Sequence, residues 1–279
     1  MMILLSDLPL GIYEKAFCSS LSWEEKLWLV KENGYDYLEI NVDGTKERLA
    51  RLESPRCAYE LSEAIAKTGV PVYTFAFTAN RAFPLGSADA ERRRKGIAYL
   101  KKAIIFAHKT GIRIIHIAAY DETERTGTAE TKIRFREAVE ECILFASRYG
   151  VILAFETMDV PFMDTVDKIM RYVREFDSPY LQVYADIGNI TAGGHDPGID
   201  LACGGNHIVG IHLKDSKGKQ IRDIAFGEGD VDFDSCLRTL KQIGYGGFFT
   251  AEMWCYDAPD FLPYLKKANQ FLRAKLERW

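Results

Sequence analysis

The chain has 279 residues, 47% of them hydrophobic and 27% charged, with a formal net charge of -4. That length suits a single α/β barrel, and the composition is ordinary for a globular protein. The acidic balance excludes a broad basic surface for nucleic acid and gives no electrostatic reason to sit on an anionic membrane. No apolar run approaches the ~20 residues of a spanning helix, and Met1-Met2-Ile3-Leu4-Leu5 is too short and uncharged for a signal-peptide core. Six cysteines without C-x-x-C spacing read as free structural thiols, which points to the cytoplasm.

In chain order, Leu10 to Ala16 reads as a first strand. Ser22 then caps a helix beginning Trp23-Glu24-Glu25 that stops at Asn33-Gly34. Tyr35 to Val42 is the second strand. Thr45 to Lys67 is helical, with a break at Ser54-Pro55 because the residue before proline resists the helical region. Val70 to Thr78 forms the third strand, with Pro71 at its start, where a missing donor is tolerated. A loop through Ser87 leads to a helix from Asp89 to Thr110, then a strand from Ile112 to Ala119 and a helix from Thr128 to Tyr149. Val151 to Met158 is the fifth strand, a continuous apolar run of the kind buried on both faces. A helix from Asp164 to Phe176 follows, then a strand from Leu181 to Asp186, a Gly-rich loop and a short helix to Cys203. Ile208 to Lys214, a helix from Phe233 to Ile243, Gly247 to Trp254 and a helix from Pro259 to Lys275 complete the chain. Strands alternating with helices, short connections and no linker predict one α/β domain, a (β/α)8 TIM barrel spanning residues 1–279.

Four of these strands end on chemistry-bearing side chains: Glu156, Asp186, His212 and Glu252. In such a barrel the functional groups gather at the C-terminal ends of the strands. Three carboxylates meeting there cannot all stay ionised unless a cation neutralises them. An oxygen-rich set with one nitrogen suits Mn2+, Co2+, Mg2+ or Zn2+, and the ligands alone do not choose.

At these residues the chain resembles the L-ribulose-5-phosphate (L-xylulose-5-phosphate) 3-epimerases of the xylose-isomerase-like barrels. The resemblance runs through Leu10–Ala16, Glu47–Leu52, Phe83–Ser87, Glu156–Asp159, Asp186–Asn189, His212–Asp215, Phe226–Gly229 and Glu252–Trp254. It implies one divalent ion per chain held by Glu156, Asp186, His212 and Glu252, with the two glutamates also acting as the acid/base pair at carbon 3 of a ketose. Asn80 stands where the family usually carries a histidine, and the loop between His212 and Phe226 is shorter than the family pattern.

Epimerisation at carbon 3 passes through an enediolate, which a chelating cation stabilises and two carboxylates can protonate from opposite sides. Arg222, just before Phe226-Gly-Glu-Gly229, is the preferred contact for a phosphate or hydroxyl, with Lys214, Lys217 and Lys219 nearby. Asn80 and Arg81 are a second contact set, Asn189 falls in the Asp186-Ile-Gly-Asn189 segment, and Glu39 can line the pocket or form a salt bridge. Trp254 and Phe83 can form an apolar wall; His116 reads as a core or rim histidine rather than a ligand. The expected partner is a small-molecule ketose phosphate, without nucleic acid or membrane, acted on by a homodimer. Alternatives are an aldose-ketose isomerase of the hexulose-phosphate or hydroxypyruvate type, an abasic-site endonuclease and a non-catalytic sugar binder. The five histidines and the negative charge disfavour the endonuclease, and the two glutamates disfavour a mere binder.

Overall fold

In the computed structural model, which describes residues 4–123, 126–258 and 260–279, eight parallel strands close into a barrel in sequence order. They are β1 (Leu10–Tyr13), β2 (Tyr37–Val42), β3 (Val72–Phe77), β4 (Ile114–Ala118), β5 (Ile152–Glu156), β6 (Leu181–Asp186), β7 (Ile208–Leu213) and β8 (Phe248–Ala251). Closure comes from β1 pairing with β8, Gly11 opposite Thr250. The α-helices are α1 (Trp23–Glu32), α2 (Lys46–Glu53), α3 (Pro55–Thr68), α4 (Ala90–Thr110), α5 (Ala129–Tyr149), α6 (Val166–Phe176), α7 (Ile187–Ala192), α8 (Pro197–Asp200), α9 (Phe233–Gln242) and α10 (Leu262–Leu276). The single-domain barrel expected from the sequence is thus observed.

The strands are buried on both faces, so their alternation separates two kinds of interior. Outward residues such as Ile40, Phe75, Ile117, Phe155, Val183 and Ile211 pack under the helices in the main hydrophobic core. Inward residues fill the barrel itself, and there two glycines make room. A Cβ on Gly11 would lie 2.3 Å from the Tyr37 ring, and one on Gly210 would lie 2.2 Å from the Tyr184 ring. The two phenols therefore occupy the barrel axis, where both contact the Thr250 hydroxyl, at 2.6 and 2.8 Å.

Differences from the expected elements have local causes. β1 stops at Tyr13 and a 3-10 turn, Glu14–Ala16, follows. Glu14 turns its wholly buried carboxylate onto Lys26, Arg48 and Arg51, each 2.9 Å away, and onto the Asn41 N–H at 2.8 Å. The expected break at Ser54-Pro55 divides α2 from α3. Helix α7 has no counterpart among the expected elements; it forms because Asp186 Oδ1 accepts from the N–H groups of Gly188 and Asn189 at its start. The expected start of the last helix, Pro259, lies outside the described residues.

Candidate active site

Inward alternation and strand register place two layers of polar side chains at the C-terminal end of the barrel. Glu156 and Asp186 are the last residues of β5 and β6, and His212 is next to last in β7. Glu252 lies just beyond β8, its N–H donating to the Leu213 carbonyl at 2.9 Å. One donor atom from each of these four residues lies within 4.8 Å of the others. The four residues named from the sequence therefore meet at one point.

His212 Nδ1 is the hub: it stands 3.0 Å from Glu156 Oε1, 3.3 Å from Glu252 Oε2 and 4.0 Å from Asp186 Oδ2. Its other nitrogen, Nε2, is 2.6 Å from Glu39 Oε1. Glu39 also accepts from Thr74 Oγ1 at 2.6 Å and Tyr184 Oη at 2.7 Å. A carboxylate that accepts a hydrogen bond from Nε2–H leaves the Nδ1 lone pair for the cluster, an arrangement that orients metal-binding histidines. His116 sits in the same lower layer, 3.3 Å from Glu39 and 3.4 Å from Glu156, and packs on Tyr184. Its ring nitrogens make no aligned hydrogen bond, and one donor atom each of His116, Glu39 and His212 also lies within 4.8 Å of the others.

A lysine ammonium completes the cluster. Lys214 Nζ reaches Asp186 Oδ2 at 2.5 Å, Glu252 Oε2 at 2.9 Å and Asn189 Oδ1 at 2.9 Å. The Asn189 amide donates to the Thr157 carbonyl at 2.9 Å, and Thr157 Oγ1 accepts from the Asp186 N–H at 2.7 Å, so the ends of β5 and β6 are tied together.

The electrostatics follow from burial opposed by these contacts. Burial pulls the Glu156 carboxyl up, but His116 and His212 outweigh it and hold it at about 2. Glu252 is held low in the same way, against its burial, by Lys214 and His212. Asp186 goes the other way, to about 7, because burial and the nearby Glu252 and Glu156 outweigh Lys214. Such crowding of acids calls for positive charge. Asp186 Oδ2 and Glu252 Oε2 are buried without an aligned hydrogen-bond donor, although the Lys214 ammonium lies close to both. Three carboxylate oxygens and one imidazole nitrogen, converging and partly unsatisfied, fit a divalent ion.

Above the cluster opens a cavity of about 410 Å3 whose wall includes Tyr13, Lys15, Arg81, Glu156, Asn189, Lys214, Arg222, Glu252 and Trp254. Arg222 and Trp254 form one side, the guanidinium 5.1 Å above the indole. Arg81 pairs with Asp159 at 3.3 Å on another. Two expected substrate contacts lie elsewhere. Glu39 is the third residue of β2, one layer too deep to reach the cavity, and its carboxylate is spent on His212, Thr74 and Tyr184. Asn80, in the 3-10 turn after β3, is wholly buried, so its neighbour Arg81 reaches the wall instead.

The Phe226-Gly-Glu-Gly229 segment also gains a physical reading that its spacing did not reveal. Asp215 Oδ2 accepts from the N–H groups of Gly227 at 2.8 Å and Gly229 at 3.1 Å. A Cβ on Gly229 would fall 2.1 Å from Asp215 Oδ1, so the close approach is to this buried carboxylate. The clamp folds back the loop that carries Arg222 to the cavity.

Comparison with known proteins identifies the family and agrees with the fold. Residues 27–275 match the family described as xylose isomerase-like TIM barrel. The L-ribulose-5-phosphate 3-epimerase UlaE of Escherichia coli O1:K1 is 42% identical over 277 residues, covering 99% of this chain and 98% of that protein. Among solved structures, an L-ribulose 3-epimerase aligns with a TM-score of 0.81 at 18% identity over 97% of this chain and 95% of its own. The IOLI protein with a bound zinc atom aligns with a TM-score of 0.81 at 18% identity, over 98% and 99%. The chain belongs to the xylose isomerase-like TIM barrel family and, within it, to the L-ribulose-5-phosphate 3-epimerases, and it is an isomerase of the sugar-epimerase class.

Proposed function

We propose that the protein is a divalent-metal-dependent 3-epimerase that interconverts L-ribulose 5-phosphate and L-xylulose 5-phosphate through a cis-enediolate. The observation that carries this reading is the convergence of Glu156 and Glu252, which line one cavity, with the buried Asp186 and His212. The near full-length similarity to a protein of that activity supports the choice of sugar. Glu156, Asp186, His212 and Glu252 would hold the ion, whether Mn2+, Zn2+, Co2+ or Mg2+. Once bound, it supplies Lewis-acid stabilisation of the negative charge that develops on substrate oxygen.

The chain's own side chains do the proton chemistry. One glutamate, ionised, takes the proton from carbon 3; the C–H electron pair becomes the C2–C3 double bond and the carbonyl π pair moves onto the C2 oxygen to give the enediolate. The other glutamate, ionised in the free cluster, takes up a proton once substrate is bound and delivers it to the opposite face. Glu39 keeps His212 in the tautomer that presents Nδ1 to the cluster. Arg222 is the cavity cation with no carboxylate partner among the described residues, which suits it to an anionic or hydroxyl group of the substrate. Asn189 and Lys214 offer further polar contacts on the same wall.

The test is product identification after incubating L-ribulose 5-phosphate with Mn2+-loaded protein, followed by dephosphorylation and chromatography. L-xylulose is the expected product; an aldose would overturn the reading in favour of an aldose-ketose isomerase. The remaining expectations form part of the same proposal: a cytoplasmic homodimer acting on a small-molecule ketose phosphate, with no nucleic-acid or membrane partner. The net charge of -4 is consistent with this, as is the absence, among the described residues, of a helix long and apolar enough to cross a membrane. Light scattering checks the dimer.

A further inference from the structure

Two of the six cysteines, far apart in sequence, meet where the loops after β1 and β8 run side by side. The Sγ atoms of Cys18 and Cys255 and a carboxylate oxygen of Asp257 all lie within 4.8 Å of one another. The loops are stitched together around them. The Cys255 N–H donates to the Lys15 carbonyl at 2.9 Å, Cys18 Sγ to the Ala258 carbonyl at 3.6 Å, and Ser19 Oγ to Asp257 Oδ2 at 3.1 Å. Tyr256 and Asp257 are both left-handed, with φ of 48° and 58°, a costly conformation for two successive non-glycine residues that persists only where the surroundings impose it. The turn therefore holds Cys255 against Cys18. Of the other thiols, Cys142 and Cys236 are sealed in the core, Cys203 is exposed and Cys57 is half-buried like Cys18.

We propose that Cys18 and Cys255 are a redox-responsive pair, closed to a disulfide by a hydroperoxide and reopened by a thiol reductant. Cys18 is partly exposed and meets the oxidant first. Its thiolate attacks one peroxide oxygen, the O–O bond breaks, and the departing hydroxide takes up a proton to leave as water, giving a sulfenic acid. The Cys255 sulfur then attacks the Cys18 sulfur; the S–O bond breaks and the hydroxide leaves as water with the Cys255 proton. Two thiols and one hydrogen peroxide thus give one disulfide and two waters. Burial pushes the Cys255 thiol up to about 11, which suits it to the second, resolving role rather than to first attack. In a reducing compartment such a bond is transient, as befits a sensor.

The pair lies against the candidate site. Cys255 follows Trp254, whose ring faces Arg222 and, at 5.6 Å, the Lys214 ammonium. On the β1 side, Tyr13 and Lys15 line the same cavity. A bond between Cys18 and Cys255 joins those two walls covalently.

The test is peroxide treatment of the metal-loaded full chain, followed by alkylation, digestion without reductant and peptide mass mapping. The expected result is a Cys18–Cys255 cross-linked peptide that accumulates before Cys203 is oxidised, with two of the six thiols lost and both recovered by dithiothreitol. Cys255→Ser is expected to trap Cys18 as a dimedone-reactive sulfenic acid, and Cys18→Ser to leave Cys255 reduced. Oxidation of Cys203 ahead of an intact Cys18–Cys255 pair, or cross-links that scatter over other cysteines, would overturn the proposal. The readout does not depend on epimerase activity, so it stands or falls separately from the proposed function.

Discussion

Replacing Glu39 by glutamine isolates the carboxylate that lies behind the candidate metal centre. The side chain keeps its size and one acceptor oxygen but loses its charge. In the structure that charge faces His212 Nε2 at 2.6 Å, while Nδ1 of the same ring points at Glu156, Glu252 and Asp186. Removing a carboxylate that polarises a metal-binding histidine typically costs about 10–100-fold in metal affinity, or about 1.4–2.8 kcal/mol. Glutamine can still accept from one donor, so the lower end, roughly tenfold, is expected. Alanine would be a poorer probe, since it would also orphan the hydroxyls of Thr74 and Tyr184, which now donate to Glu39. The assay is calorimetric titration of Mn2+ into chelator-stripped protein, with thermal unfolding of the stripped protein to establish that the barrel is intact. A folded Glu39→Gln protein that binds Mn2+ as tightly as the parent would refute the positioning role assigned to Glu39.

Other predictions test the frame around the site. Glu14→Ala leaves Lys26 and two arginines facing a buried void, and is expected to cost about 3–5 kcal/mol in urea unfolding. The Lys26, Arg48 and Arg51 charges outweigh burial and hold the Glu14 carboxyl far below its ordinary 4.5. Its stabilisation is therefore complete above that value and lost as the pH falls below it, so the stability gap between parent and Glu14→Gln should shrink in acid. Gly210→Ala drives a methyl to 2.2 Å from the Tyr184 ring and should destabilise by about 1–3 kcal/mol in the same assay; an unchanged midpoint would mean the barrel axis is looser than described. Asp215→Asn weakens the clamp on Gly227 and Gly229, and should raise KM more than it lowers kcat because Arg222 rides on that loop. An equal fall in kcat with KM unchanged would contradict that assignment.

The barrel was legible in the sequence because buried parallel strands are continuous apolar runs, and a carboxylate ending such a run is conspicuous. Glu156 and Asp186 were visible for that reason. Depth was not. Glu39 lies in the second strand, whose expected end at Val42 is observed, but its level within the barrel does not follow from that end. Pairing of Glu39 with Tyr13 and Thr74 fixes it one layer lower, and such register depends on neighbouring strands that periodicity does not relate to one another. Asn80 and Arg81 illustrate the same limit in a turn, where adjacent side chains face opposite ways and the more polar one reaches the cavity. The partnership of Asp215 with Gly227 and Gly229, like that of Cys18 with Cys255, joins residues that no local pattern links.

The most direct test of the central claim is proton NMR of L-ribulose 5-phosphate in D2O with the Mg2+-loaded protein, watching the carbon-3 proton. Proton transfer by Glu156 and Glu252 predicts that deuterium enters at carbon 3 as L-xylulose 5-phosphate accumulates, and that Glu156→Gln and Glu252→Gln each block turnover. Exchange at carbon 1 with an aldose forming, or epimerisation that retains the original proton at carbon 3 without exchange, would contradict the account.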